Sequence, residues 1–209
     1  MCPLQTKPPD LLQRLKIETA VAHARIEQAF NIEERTRSLA AYRDVLERLY
    51  GFHAVWEPRA EAILANPEFF RQRRKVELLE RDLRKLGRTR EAMGKLVLCE
   101  PTVPMQTPAE VLGSMYVIEG STLGGAIIAR HVERSLGLGP ANGCSYFRCY
   151  GNHVGSMWAA FKTALLAHCG PAEEEVVVAA AHRTFEILRA WLIFRAAGPD
   201  GSASARYES

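Results

Sequence analysis

Apolar residues recur at intervals of three and four along most of the chain, the spacing of helices that turn one face to a core. From Asp10, a residue type that caps helix N-termini, Leu11, Leu12, Leu15, Ala22, Ile26 and Phe30 keep that step and predict an opening helix. Ser38 introduces a second, with Leu39, Tyr42, Leu46, Leu49, His53 and Trp56 in phase until Pro58, whose missing backbone donor predicts a kink or a stop. Phe70, Val76, Leu79, Leu83 and Leu86 mark a third between Pro67 and Gly87. Thr107-Pro108-Ala109-Glu110 reads as a capping box with proline at the first helical position, opening a long helix that Gly137-Leu138-Gly139-Pro140 ends near Leu136. A turn-rich stretch, Pro140 to Gly151, leads to a helix from Asn152 carrying Val154, Met157, Trp158, Phe161 and Leu165, closed by Gly170-Pro171. A last helix is expected from about Ala172 to Ala196, with Val177, Ala181, Phe185, Leu188 and Trp191 on its apolar side. No repeat and no strand-like alternation appears, so the expected class is all-α.

Length narrows this to one domain: 209 residues match a single core that needs no staples. The expected limits are an N-terminal extension over 1–9, one helical domain over 10–197 and an unstructured tail over 198–209. With 47% hydrophobic and 24% charged residues the chain is not globally disordered. A net charge of +3 is too small to argue for nucleic acid or a membrane surface. No uninterrupted apolar run reaches the roughly 20 residues of a membrane span, and the first residues lack the layout of a signal peptide. Five cysteines, an odd number without a CxxC pair, argue against a disulfide framework or a zinc ribbon. Together these point to a cytoplasmic protein with reduced thiols. Arg71, Arg73, Arg74 and Lys75 read as a solvated basic face, a place where an acidic partner could dock.

No HExxH, GxGxxG, phosphate-loop or GxSxG pattern is present. Candidate chemistry lies instead in two helices. On the opening helix Lys16, Thr19, His23, Glu27 and Phe30 share one side, bordering the apolar face. A histidine with a carboxylate one turn later suits a metal ligand whose second ring nitrogen is held by an acid. A half-buried histidine making local contacts is the plainer alternative. The long helix carries Gly120, Gly124 and Gly125, each costing about 1 kcal/mol relative to alanine. Bare backbone on one face serves either a close helix crossing or the approach of a flat, bulky ligand. Glu119 and Arg130 exclude a membrane dimerisation motif there. His131, two turns beyond the glycines, is a rival ligand. A histidine on one helix and a glycine-opened surface on another describe a slot for a planar metal macrocycle.

The two motifs, LKxxTxxxHxxxE over Leu15 to Glu27 and YVxEGSTLGG over Tyr116 to Gly125, resemble those of the haem (heme) oxygenases, with the nearest likeness to the bacterial branch found beside bacteriophytochromes. The resemblance spans about Leu11 to Arg195. It implies the all-α haem oxygenase fold, with haem between a proximal helix and a kinked, glycine-rich distal helix. It places His23 as the axial iron ligand and Glu27 as the carboxylate behind it. Lys16 becomes the partner of a haem propionate, Thr19 and Tyr116 haem-binding residues, and Arg148 and Lys162 further candidates for the propionate edge. Gly120, Gly124 and Gly125 match distal glycines that touch haem and bound oxygen. Ser121 stands where many members carry an aspartate, so any proton relay must differ. The implied reaction converts haem, as both cofactor and substrate, to biliverdin, carbon monoxide and ferrous iron. It uses O2 and electrons from an external reductase or ferredoxin, with a bilin-accepting phytochrome as a further partner. The serine also motivates an alternative, a non-catalytic haem carrier or sensor of the same fold.

Overall fold

The computed structural model describes residues 9–100 and 102–193. The expected extension, Pro9 apart, and the expected tail lie outside the described residues. Among the described residues ten α-helices follow in order: α1 Leu11–Glu18, α2 Ala20–Phe30, α3 Ile32–Arg35, α4 Leu39–Leu64, α5 Pro67–Arg71, α6 Val76–Lys85, α7 Arg90–Met93, α8 Pro108–Leu136, α9 Val154–His168 and α10 Glu174–Ile193. Short 3-10 turns at Tyr146–Arg148 and Gly151–His153 precede α9. No strand occurs among the described residues, and the fold is all-α.

The caps do what the sequence asks of them. Asp10 and Gln13 close a capping box on α1, and Ser38 caps α4 through the Ala41 amide. Thr107 Oγ1 accepts from the Glu110 amide at 3.3 Å while the Glu110 carboxylate accepts from the Thr107 amide at 3.1 Å. Gly137 ends α8 in the left-handed region at φ 66°. α8 is long and apolar enough to cross a membrane by length and composition, which a count of uninterrupted apolar runs does not reveal. More than half of its most apolar window is buried, as in a core helix.

Three expectations change. The opening helix is interrupted at Thr19, whose hydroxyl donates to the Leu15 carbonyl at 2.7 Å. Pro58 does not break α4, which runs through it; the proline is on the exposed side, where one lost ladder bond costs least. The third helix is two, α5 and α6, because Arg73 and Lys75 in the turn between them are buried rather than solvated. They pair with Glu119 of α8, while Arg71 and Arg74 pair with Glu68 and Glu61, so this segment is not a basic docking face.

α10 is the central wall, packing most extensively on α8 and next on α2. Small residues set the α8–α10 crossing: a Cβ at Gly113 would lie 2.2 Å from the Val177 carbonyl oxygen. Trp56 Nε1 donates to Ser114 Oγ at 2.7 Å, and Ser114 Oγ lies 2.9 Å from Thr184 Oγ1, tying α4, α8 and α10 together in a dry core. The segment before α9 is pinned from beneath. Asp82 of α6 accepts from the Ser145 amide, the Ser145 hydroxyl and the Tyr146 amide at 2.9, 2.6 and 2.8 Å, and the Tyr42 hydroxyl donates to the Gly143 carbonyl. The four cysteines among the described residues are not joined in disulfides. Burial pushes Cys99 and Cys169 up to about 11, so both stay protonated and unreactive near neutrality.

Candidate functional site

His23 stands on α2 at the edge of the core, its side chain 55% exposed while Ala22 beside it is buried. Its ring meets Phe185 of α10 edge-on, with centroids 5.8 Å apart, so the central wall fixes the imidazole from behind. Nδ1 faces Glu27 Oε2 at 3.7 Å, one turn on. That is too long for a hydrogen bond, and Nε2 is the ring nitrogen on the side away from the carboxylate. Ala20 and Ala24, both small and exposed, leave room beside the ring for a flat group.

On α8 a Cβ at Gly124 would meet nothing within 4 Å, and one at Gly120 would meet only Trp158 Cη2, at 3.8 Å. Leu123 and Ile127 fall on the same side of the helix and are 48% and 66% exposed. Bare backbone bordered by uncovered apolar side chains is a surface that a planar apolar ligand would cover. Ser121 and Thr122 turn their hydroxyls back to the Ile118 and Glu119 carbonyls at 2.8 and 2.7 Å, a pattern that loosens a helix locally.

Gly125 departs from the reading that grouped it with its neighbour. It is buried, and a Cβ there would lie 2.7 Å from the Phe147 carbonyl oxygen. One residue step turns it about 100° away from Gly124, so it admits the 3-10 turn beneath α8 rather than a ligand above it. The same turn links the two functional helices, since the Phe147 ring meets Phe30, at the C-terminal end of α2, with centroids 6.3 Å apart. α2 and α8 therefore both pack on α10, and Phe147 touches Phe30 of α2 and approaches Gly125 of α8.

Near Gly120, Tyr116 packs on Trp158 at 5.5 Å between centroids, and Lys162 Nζ lies 5.8 Å from the Trp158 ring centre. Lys16 is exposed, nearly two turns before His23. Two other candidates are placed elsewhere. Arg148 pairs with Glu133 at 3.2 Å, and Glu133 is seventeen residues beyond Tyr116, roughly 25 Å of helix at about 1.5 Å per residue. Arg148 and Tyr116 therefore do not serve one edge of one ligand. Thr19 is turned into the core with its hydroxyl committed to Leu15, away from the open side.

Sequence reasoning missed Trp158, Phe147 and Phe185 as site-shaping residues, because helical periodicity marks all core aromatics alike. His53 is a buried histidine as expected but only partly satisfied. Nε2 lies 3.2 Å from the Tyr146 hydroxyl, whereas Nδ1 makes no hydrogen bond although Glu57 Oε1 is 3.3 Å away. Burial holds the Tyr146 phenol far above its ordinary value, so it remains a neutral donor.

The two glycines should separate under substitution. Gly124→Ala is expected to stabilise the ligand-free protein by about 0.5–1 kcal/mol through helix propensity. Gly125→Ala, driven against backbone, should destabilise it by about 1–3 kcal/mol. Thermal melts of both variants check this; a stabilised Gly125→Ala would contradict the packing.

An exposed imidazole on α2 and a stretch of bare backbone on α8, two helices that both pack on α10, are surfaces that a flat, metal-centred ligand would suit. The haem oxygenase family profile matches residues 9–193, and the chain belongs to the haem oxygenase family. The structure is similar to that of the haem oxygenase from Neisseria meningitidis, solved with NO and CO bound, at 22% identity and a TM-score of 0.72, covering 91% of this chain and 97% of that one. The Leptospira interrogans haem oxygenase is similar at 17% identity and a TM-score of 0.70, covering 88% of this chain and 99% of the other. Haem oxygenase-1 from the cyanobacterium Synechocystis, solved in complex with haem, follows at 15% identity and a TM-score of 0.68, covering 88% and 91%. At these identities the likeness is one of fold. No curated protein sequence matches the chain.

Proposed function

We propose that this chain is a working haem oxygenase of the bacteriophytochrome-associated branch. It takes haem as cofactor and substrate and cleaves it at a meso carbon to biliverdin, carbon monoxide and ferrous iron. O2 and an external reductase or ferredoxin supply oxidant and electrons, and a phytochrome is the natural acceptor of the bilin. The observation that carries this reading is the pair of open surfaces, half-exposed His23 on α2 and the bare Gly120 and Gly124 face of α8, on two helices that both pack on α10. Among the described residues no group of three or more His, Cys, Asp or Glu side chains could hold a bare metal ion. A single imidazole instead suits a metal whose other positions a macrocycle already fills.

Bound haem supplies the redox-active iron and the ring that is cut. The protein binds, orients and shields it. His23 Nε2 would be the nitrogen for the iron, with the Glu27 carboxylate 3.7 Å from Nδ1 on the other side of the ring. Gly120 and Gly124, which put no side chain on that face of α8, would allow a flat ring to approach the backbone closely. Leu123 and Ile127 exclude bulk water from that face. Lys16, Tyr116 and Lys162 are the groups for the propionate edge; Arg148, held by Glu133, is not. The ferredoxin or reductase docks away from Arg71 to Lys75, whose charge is internally neutralised.

Ser121 spends its only proton on the Ile118 carbonyl and retains acceptor capacity alone. Ser121→Ala is therefore expected to keep bilin formation within about twofold of the parent. A loss beyond tenfold would instead give the hydroxyl a direct part. Extraction of the pigment and trapping of carbon monoxide, after incubation with haemin and a reductant in air, tests the proposed reaction. Both products in equal amounts support it, and unaltered haemin with neither product refutes it.

A further inference from the structure

Glu119 stands directly before Gly120 and has no role in the site above. Its carboxylate is 1% exposed, and the cations around it, Arg73 and Lys75, are 5% and 2% exposed. The Tyr150 hydroxyl lies 2.9 and 3.0 Å from its two oxygens, Arg73 Nη1 donates to it at 3.4 Å, and Lys75 Nζ is 3.7 Å away. Lys75 Nζ in turn donates to Tyr150 Oη at 2.6 Å and to the Arg73 carbonyl at 3.1 Å. A second carboxylate, Glu57 of α4, accepts the Lys75 and Val76 amides at 2.6 and 3.1 Å. Burial, and next the Glu119 charge, hold the Tyr150 phenol far above its ordinary value, so the hydroxyl stays a donor to the carboxylate.

Charge burial on this scale is poorly explained by stability, since well-packed apolar residues of similar volume often serve as well or better. What the cluster supplies is geometry. It fastens α8, at the residue before the glycine stretch, to the turn between α5 and α6 and to the segment ahead of α9. The Phe147 carbonyl packs closely against it again at Gly125. Between these points lies the most deformable part of the helix, with two glycines and two hydroxyls bonded back to carbonyls. Both clamps approach α8 from beneath, leaving the Gly124 face open.

We propose that Glu119 is a positioning residue: its buried cluster with Arg73, Lys75 and Tyr150 holds the glycine turn of α8 at a fixed height across from His23, and so sets the depth of the slot. Its consequence for haem rests on the haem-binding reading; the clamp itself does not.

Hydrogen exchange of the ligand-free protein and a haemin titration test this together. Glu119→Gln keeps the shape and removes the charge, and Tyr150→Phe removes one hydroxyl should the first variant fold poorly. Exchange of amides over residues 118–126 is expected to rise about tenfold, with core amides of α4 and α10 within about twofold, a local opening rather than global loss. Haemin binding should weaken by about tenfold, the effect expected of a lost supporting contact. Unchanged exchange over 118–126 in both variants, or an equal rise throughout the protein, overturns the proposal. So does faster local exchange with unaltered haemin affinity. If the parent itself binds no haemin, the functional reading falls while the exchange comparison still decides the clamp.

Discussion

A His23→Ala variant is expected to form bilin at least ~100-fold more slowly than the parent, and added imidazole should recover part of the rate. His23 is the only imidazole that the structure sets at the edge of the core against the α10 wall with a carboxylate behind it. His131 lies on α8 itself, the helix that carries the glycines, and cannot face them from across the slot. His53 is buried among Tyr146, Glu57 and Trp56 beneath the fold's surface. The loss should be specific, because His23 is half-exposed and its removal leaves buried Leu15 of α1 and Ala22 of α2 packed as before. A thermal midpoint close to the parent's, with the rate collapsed, is the expected pair of results. Full activity without imidazole would remove His23 from the account.

The largest stability effect is expected at Gly113. An alanine there gains about 1 kcal/mol of helix propensity. Its Cβ would nevertheless sit 2.2 Å from the Val177 carbonyl oxygen and 2.9 Å from the Ala180 Cβ. The first obstacle is backbone, so no side chain can rotate out of the way and α8 and α10 must separate. That separation would also strain the contact of Ser114 with Trp56 and Thr184. Overpacking of this kind should cost about 3 kcal/mol or more, which lowers the melting temperature by roughly 6–12 °C in a protein this size. A melt within a degree or two of the parent would show that the helices do not cross so closely. Since α10 also carries Phe185 behind His23, Gly113→Ala should weaken haemin binding as a secondary effect.

Local signals made much of this legible in the sequence. Caps at Asp10, Ser38 and Thr107 and the stop at Gly137 are chemistry within a few residues, and they appear where the sequence places them. Long-range pairing is what stayed hidden. A run of four basic residues reads as a wet face; only the fold brings Glu119, forty-six residues beyond Arg73, to meet two of them. Gly124 and Gly125 look equivalent as letters, yet the helical step sends one to open space and the other against the Phe147 carbonyl. Arg148 has the right charge for a propionate and the wrong address, because Glu133 holds it at the far end of α8. Thr19 matches a motif position, but its hydroxyl serves the break between α1 and α2. Motif spacing located the two helices of the site, while partners distant in sequence decided which residues face into it.

The central claim is that a flat, iron-centred ring sits between His23 and the Gly120–Gly124 face and is consumed there. A visible spectrum of the protein with one equivalent of haemin, before and after a reductant is added in air, addresses it most directly. The account predicts a sharp Soret band on binding, which then decays into the broad red absorption of a bilin. A bound haem spectrum that persists under reductant would contradict turnover and leave a carrier or sensor; no Soret change on mixing would contradict the site itself.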